Sequence, residues 1–337
     1  MREVIKINDI VFGEIIIDES VIVELIKSKP MQRLKGIDSG CYAPLYNNPK
    51  NLDINLLKGT RFDHSIGVYY LLKRYNDSLE AQISGLLHDV SHTAFSHGAD
   101  YIFDEGCEKS HDFQDKHHEQ VIKNSVIPKI LNKYGFDVDR IINEVNFPLL
   151  ENNIPDLCAD RIDYSFRTAV HFQEYTKDEV DEILSHLKAK DNKWYFDNFE
   201  FGQKFVDLFK KMNDDYYSDI KAAILYGSIS KIMRYAINRD HLKKEDFFKD
   251  DEYVMNKIKV HLGGDKELAE YYKKLNDKGL YRGSRDKSEV EVYLKSRIVD
   301  PWVRDNDKLK RLSEINKDWA KVVKEDLKPR KYYLEEI

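Results

Sequence analysis

The chain has 337 residues, 12% aromatic and 42% apolar, enough to bury one large core or two ordinary ones, which excludes a disordered chain. The formal charge of −6 leaves no overall basic field to draw nucleic acid, although a metal and a few local Arg or Lys can still hold a small anion. Three scattered cysteines, Cys41, Cys107 and Cys158, form no C-x-x-C pair, and no apolar run resembles a signal peptide or a membrane span, so a reducing, cytoplasmic setting is expected.

Two short apolar runs around Gly13, VIKIN and EIIID, predict a β-hairpin over residues 4–18. Residues 19–37 keep helical spacing, broken at Pro30, with a second helix from about Met31. Residues 42–59 have loop chemistry. Helical patterns return over 62–75 and again after Asp77 or Ser78, either of which can cap the next helix. That helix ends near His88 and Asp89. A polar loop over 104–117 precedes helices at 119–134, 137–149 and 156–170. A short strand at 194–199, a long helix at 205–233 and a helix at 266–276 capped by Asp265 follow. Residues 290–297 alternate like a strand, and 309–327 read as a charged amphipathic helix. A domain over 1–190 and a mixed C-terminal region over 191–337 fit this order.

Seven of the eleven histidines fall between His64 and His118, interleaved with aspartates. The stretch carries RFDHS (from Arg61), LLHDVSHTAFSH (from Leu86) and, later, CADRIDY (from Cys158). Imidazole and carboxylate together hold a divalent metal, and gathering them on short segments suits a metal-assisted hydrolase. His88 and Asp89 are neighbours, about 100° apart on a helix, so both reach one ion only at a helix end or by bracketing it from the side. An isolated His-Asp pair is ordinarily a surface feature; this one has company upstream and downstream.

In that order the motifs resemble the HD-domain phosphohydrolases, in the branch of the deoxynucleoside triphosphate triphosphohydrolases. The resemblance runs from about Ile7 to Phe172, through VFG, MQRLKGI, RFDHSIGV, GLLHDVSHTAFSH, HHEQ and DRIDY. A weaker likeness continues through LKKEDF and KSRIVDP. It implies a mainly α fold: an HD-domain helical bundle with a small N-terminal β-hairpin and a mixed α/β C-terminal part. It implies one divalent metal (Mn, Mg, Fe, Ni or Zn) held by His64, His88, Asp89 and Asp160, with Asp163 the competitor for the last place. Arg61, Arg161 and His118 would contact phosphates, and His92 would sit against the attacked phosphorus. His97, supported by Asp100, would protonate the leaving oxygen, and Tyr164 would pack on the sugar. The implied reaction is attack of a metal-activated water on a phosphorus of a small nucleotide, a deoxynucleoside triphosphate first, by a homo-oligomer. His111 and His117 read as solvent residues.

Two features depart from the pattern. Thr168 stands where some relatives place an acid that reaches the sugar, and SGCYAPLY is followed by an inserted NNPKNLDINLLKGT. Other readings are a phosphatase or phosphodiesterase on another small substrate, or a silent nucleotide-binding protein. A zinc peptidase is suggested by HDVSH as a mimic of H-E-x-x-H, but it leaves RFDHS and DRIDY unused. A dinuclear iron oxygenase would recruit His92 and His117 or His118.

Overall fold

In a computed structural model that describes residues 3–40, 59–277, 279–285 and 290–337, sixteen helices and nine strands follow one another along the chain. Most of the loop expected at 42–59, and Cys41, lie outside the described residues.

Strands β1 (Ile5–Asp9) and β2 (Gly13–Ile17) form the antiparallel hairpin, with Gly13 at φ 75°, a left-handed conformation that suits glycine. The break expected at Pro30 falls two residues earlier. Helix α1 (Ser20–Lys27) stops at Ser28, and α2 (Lys29–Arg33) takes Pro30 into its first turn, where no N–H is needed. Helix α3 (Arg61–Arg74) opens on a reciprocal cap: Thr60 Oγ1 accepts from Asp63 N at 3.1 Å, and the Asp63 carboxylate accepts from Thr60 N at 3.2 Å. Ser78 caps α4 (Leu79–Leu87), which ends at His88.

Between there and the next long helix come α5 (Ala99–Ile102), α6 (Phe113–Lys123), α7 (Ile127–Lys133) and α8 (Val138–Ile142). The expected loop at 104–117 is therefore shorter, because α6 starts at Phe113. The expected helix at 119–134 is two, since Pro128 must open a new one. The expected helix at 137–149 ends after one turn. Helix α9 (Ala159–His171) carries DRIDY, and α10 (Lys177–His186), which the pattern missed, leads into strands β3 (Leu187–Lys190) and β4 (Lys193–Phe196).

The long helix expected at 205–233 is two, α11 (Phe199–Met212) and α12 (Ile220–Asn238), separated by a wide π-type turn at Asn213–Tyr217 and the Asp219 cap. Then come α13 (Asp251–His261) and α14 (Lys266–Leu275), the latter capped by Asp265. Strands β5 (Tyr281–Ser284) and β6 (Val290–Leu294) sandwich β9 (Arg330–Glu336) in a three-stranded antiparallel sheet. Strands β7 (Trp302–Asp305) and β8 (Lys308–Arg311) join β3 and β4 in the order β3-β4-β7-β8, with β4 and β7 parallel. The helix expected at 309–327 gives its start to β8 and continues as α15 (Leu312–Ile315) and α16 (Lys317–Asp326).

The apolar residues gather in two cores. One is built from the hairpin through Tyr216 together with Ile298, Val299, Val303, Leu312 and Trp319; the other from Ala94 to Ile102, Ala222 to Leu294 and Leu334. The chain changes core at several places, among them between Val90 and Ala94, between Tyr216 and Ala222, and between Leu294 and Ile298. Those three crossings border one cavity.

Candidate metal centre and its cavity

His64 sits in the first turn of α3, His88 and Asp89 at the end of α4, and Asp160 in the first turn of α9. A helix end lets adjacent residues converge, which a helix interior forbids. Gly67, one turn after His64, lets α9 come close: a Cβ there would lie 1.9 Å from Asp163 Oδ1 and 2.3 Å from Arg167 Nη2. No larger residue fits without moving that pair.

One ligand atom each of His64, His88 and Asp160 lies within 4.8 Å of the others. His64 Nε2 is 2.8 Å from Asp160 Oδ1 and 3.2 Å from His88 Nε2. Asp89 borders the same point, its Oδ1 3.5 Å from His88 Nε2 and its Oδ2 3.7 Å from His64 Nε2.

The tautomers follow from the other ring nitrogens. His64 Nδ1 donates to Asp163 Oδ2 at 2.7 Å, and His88 Nδ1 donates to the Gly85 carbonyl at 2.8 Å. With Nδ1 committed in each ring, Nε2 is the atom left to ligate once the ring is neutral, and the two Nε2 atoms turn toward each other beside two carboxylates that hold either protons or a metal there. Such a donor set repels itself unless it shares a cation, and imidazoles held at the far nitrogen by carboxylate or carbonyl are the usual support of metal ligands. The four residues therefore fit a divalent metal. Burial alone would lower the histidine pKa values, but Asp160 and Asp163 raise that of His64. For His88 burial is likewise opposed, chiefly by Asp89 and Asp160, and the value rises to about 10. For Asp89, burial is outweighed by Arg61 and His88, which hold it well below the carboxylate range.

Asp163 lies on the far side of His64 from Asp160. It is fully buried and receives Arg167 through Nε and Nη2, both at 2.9 Å, while Arg167 Nη1 reaches Asp9 at 2.9 Å. The hairpin is thereby tied to a candidate ligand through Asp9, Arg167, Asp163 and His64.

The turn after the HD pair is held from both cores. Arg33 Nη2 donates to the carbonyls of Val90 and His92 at 2.8 and 2.7 Å, and Ala94 N donates to Phe247 O at 2.8 Å. Phe95 and Ser96 have φ of 64° and 51°; Asp251 Oδ1 accepts from Phe95 N at 2.7 Å. Arg61 is fixed by Asp89 through Nη1 at 2.9 Å and by Ser96 Oγ through Nε at 3.0 Å. His92 Nε2 is 3.2 Å from Asp89 Oδ1. Burial and then Arg61 push its pKa down to about 4, so His92 is neutral and orients Asp89.

His97 is also neutral, held well below the usual histidine range by burial and then by His111 and Arg61. Its Nδ1 is 3.6 Å from Asp100 Oδ2, too far for a hydrogen bond. Burial raises Asp100 to about 6.

A cavity of about 350 Å³ opens over the centre. Arg61, His92, His97, Arg161, Tyr164 and the four ligand candidates border it; Asp100 does not. Arg161 is tethered to Glu151 at 2.8 Å and to Cys158 Sγ at 3.0 Å. Tyr164 meets Tyr217 edge-on, with the Arg297 guanidinium 5.8 Å from the Tyr164 ring centre. His118 does not reach the lining; its Nδ1 is 3.2 Å from Ser91 Oγ, and α6 faces the cavity through Gln114 and Asp115 instead. His118 therefore stands behind Ser91, within electrostatic reach of His88 and Asp89 rather than on the cavity wall.

Several lining residues escaped the sequence. His111, expected in solvent, is buried and stacks on His97 with ring centres 4.5 Å apart. Lys295 and Arg297 arrive from the crossing between Leu294 and Ile298, held by Asn213 of the π-type turn, whose Oδ1 accepts from Arg297 N at 3.0 Å. Burial and then Arg297 lower the Lys295 pKa. KSRIVDP carried these cations in plain view, but no local pattern aims a strand exit at a histidine cluster two hundred residues upstream.

The HD domain family matches residues 61–167, the span from Arg61 to Arg167. The chain is 36% identical over 256 residues to YdhJ, an uncharacterized protein of Bacillus subtilis, across 76% of this chain and 75% of that one. It belongs to the HD-domain family, in company with YdhJ. It is also 36% identical over 186 residues to cns2 of Cordyceps militaris, named a metal-dependent phosphohydrolase, covering 55% of this chain and 51% of cns2. Two crystal structures share the fold nearly end to end: a hypothetical protein of Aquifex aeolicus (TM-score 0.70, 22% identity, 98% of this chain and 96% of that one) and a phosphohydrolase of Bacteroides thetaiotaomicron (TM-score 0.68, 16% identity, 99% and 100%).

Proposed function

We propose that this chain is a metal-dependent phosphohydrolase whose substrate is a small nucleotide, a deoxynucleoside triphosphate first. The carrying observation is that one cavity joins the His64, His88, Asp89 and Asp160 cluster to Arg61, Arg161, Lys295 and Arg297, with tyrosines beyond. The name of cns2 supports the reaction class. A bound ion would polarise a phosphoryl oxygen and make a water more acidic.

The chain's own groups do the rest. Four cations match the several charges of a polyphosphate and stay fixed as charge spreads over the phosphoryl oxygens. His92 holds Asp89, and neutral His97 donates a hydrogen bond from the nitrogen that faces the cavity. Tyr164 and Tyr217 offer ring faces to a sugar or base. A monoester phosphatase is the second reading, favoured by Thr168, a neutral residue beside Tyr217 where an acid would address the sugar.

The test is a product assay. Purified protein loaded in parallel with manganese, magnesium or iron is incubated with ribo- and deoxyribonucleotides at each phosphorylation level, and phosphorus NMR identifies what is released. Nucleoside plus triphosphate supports the first reading. Orthophosphate alone supports the second, and no release with any of them overturns both.

A further inference from the structure

Residues 97–111 hold three ligand atoms that the centre above leaves unused. The Tyr101 hydroxyl has one proton and gives it to the Tyr293 carbonyl at 2.8 Å. Its 3.0 Å contact with His111 Nε2 must then be donated by the imidazole. His111 therefore carries its proton on Nε2, and its Nδ1 is a lone pair. That nitrogen is buried without a hydrogen-bond partner, in a residue only 4% exposed.

His97 Nδ1 is likewise buried without a partner. The two rings lie 4.5 Å apart and 30° from parallel, and no hydrogen bond joins their Nδ1 atoms. Asp100 accepts from Phe113 N through Oδ1 at 2.9 Å and also from the Cys107 amide, while its Oδ2 lies 3.6 Å from His97 Nδ1. One ligand atom from each of His97, Asp100 and His111 lies within 4.8 Å of the other two.

A buried lone pair on His111, beside a second unpartnered ring nitrogen and a carboxylate oxygen, is costly unless something cationic is shared among them. The surroundings already have the form of a support shell: the far nitrogen of His111 is pinned by a hydroxyl and the far oxygen of Asp100 by a backbone amide. We propose that His97, Asp100 and His111 form a second divalent-metal site, separate from the His64 cluster. Two imidazoles and a carboxylate suit zinc, with a fourth position left open. The second ion also gives His97 a division of labour. With Nδ1 on a cation, the polarised ring becomes a stronger hydrogen-bond donor through its other nitrogen. The inference does not rest on the substrate reading, because counting ions needs no turnover.

The experiment is zinc stoichiometry on the full chain, by equilibrium dialysis at micromolar zinc followed by elemental analysis. Two ions per chain are expected, falling to one in His111→Asn and in Asp100→Asn. Asn tolerates the φ of 54° at position 111 and keeps an acceptor for Phe113 N at position 100. One ion in the unaltered chain, or two retained in both variants, overturns the proposal. If the variants do not fold, zinc-edge anomalous scattering from crystals of the unaltered chain decides. A peak among the three side chains upholds the site, and density at the His64 cluster alone rejects it.

Discussion

At the scale of single residues the centre depends on which ring nitrogen is left free. Asp163 and the Gly85 carbonyl each take one proton-bearing nitrogen, so the other nitrogens of His64 and His88 must face one point. Replacing Asp89 by Ala removes a candidate ligand and leaves Arg61 uncompensated. Metal content and turnover should both be lost, and a metal-loaded, fully active Asp89→Ala protein would refute the assignment. Gly67→Ala sets a methyl against the Asp163–Arg167 pair. It should cost about 1–3 kcal/mol in urea unfolding and weaken metal affinity as well; unchanged stability would mean that α3 and α9 part freely. The spacing of RFDHS, HD and DRIDY made these positions readable, because ligands on helix ends keep local signatures. His111 was not readable, since a histidine in a polar stretch looks solvated until Tyr101 is placed beside it.

At the scale of elements, caps and turns aim the side chains. The Thr60–Asp63 reciprocal cap sets the start of α3 at Arg61. Thr60→Ala should lower stability by about 1 kcal/mol, seen as a reduced denaturation midpoint, and loosen Arg61 and His64 together. Asp251 opens α13 and accepts from the backbone N–H groups of Phe95 and Asp38, at 2.7 and 2.9 Å. Burial raises its pKa from the ordinary 3.8 to about 7. A raised carboxyl contributes its stability fully below the ordinary value and loses it as pH rises through the folded one. Melting temperatures of the metal-free protein should therefore fall between about pH 4 and 7 from this group, and Asp251→Asn should flatten that part of the profile. A profile identical in the variant would remove Asp251 as the cause. Periodicity read the hairpin, α3, α4, α9 and α14 with useful accuracy. It ran α11 and α12 together because NDDYYSD breaks no helical spacing, and only the packing of Asn213 against residues 296 and 297 explains the wide turn there.

At the scale of the whole molecule, the cavity lies where the chain passes from one core to the other. Lys295 and Arg297 belong to the passage between Leu294 and Ile298. Each makes a charge-assisted contact possible, worth roughly 1.5–3 kcal/mol when formed. Lys295→Ala or Arg297→Ala should therefore raise KM for a polyphosphate about tenfold or more with metal content unchanged. An unaltered KM in both would move phosphate recognition to Arg61 and Arg161. Such a division was beyond sequence reading, because which core a residue joins is decided by contacts hundreds of positions apart.

The seam has a thermal consequence. A molecule lying across it touches side chains anchored in both cores and so acts as a removable rivet. Without it the two halves are free to soften at separate temperatures; with it they must let go together. Occupancy should then be legible in calorimetry as the sharpening of a broad transition into a single one, even in a protein that no longer turns over.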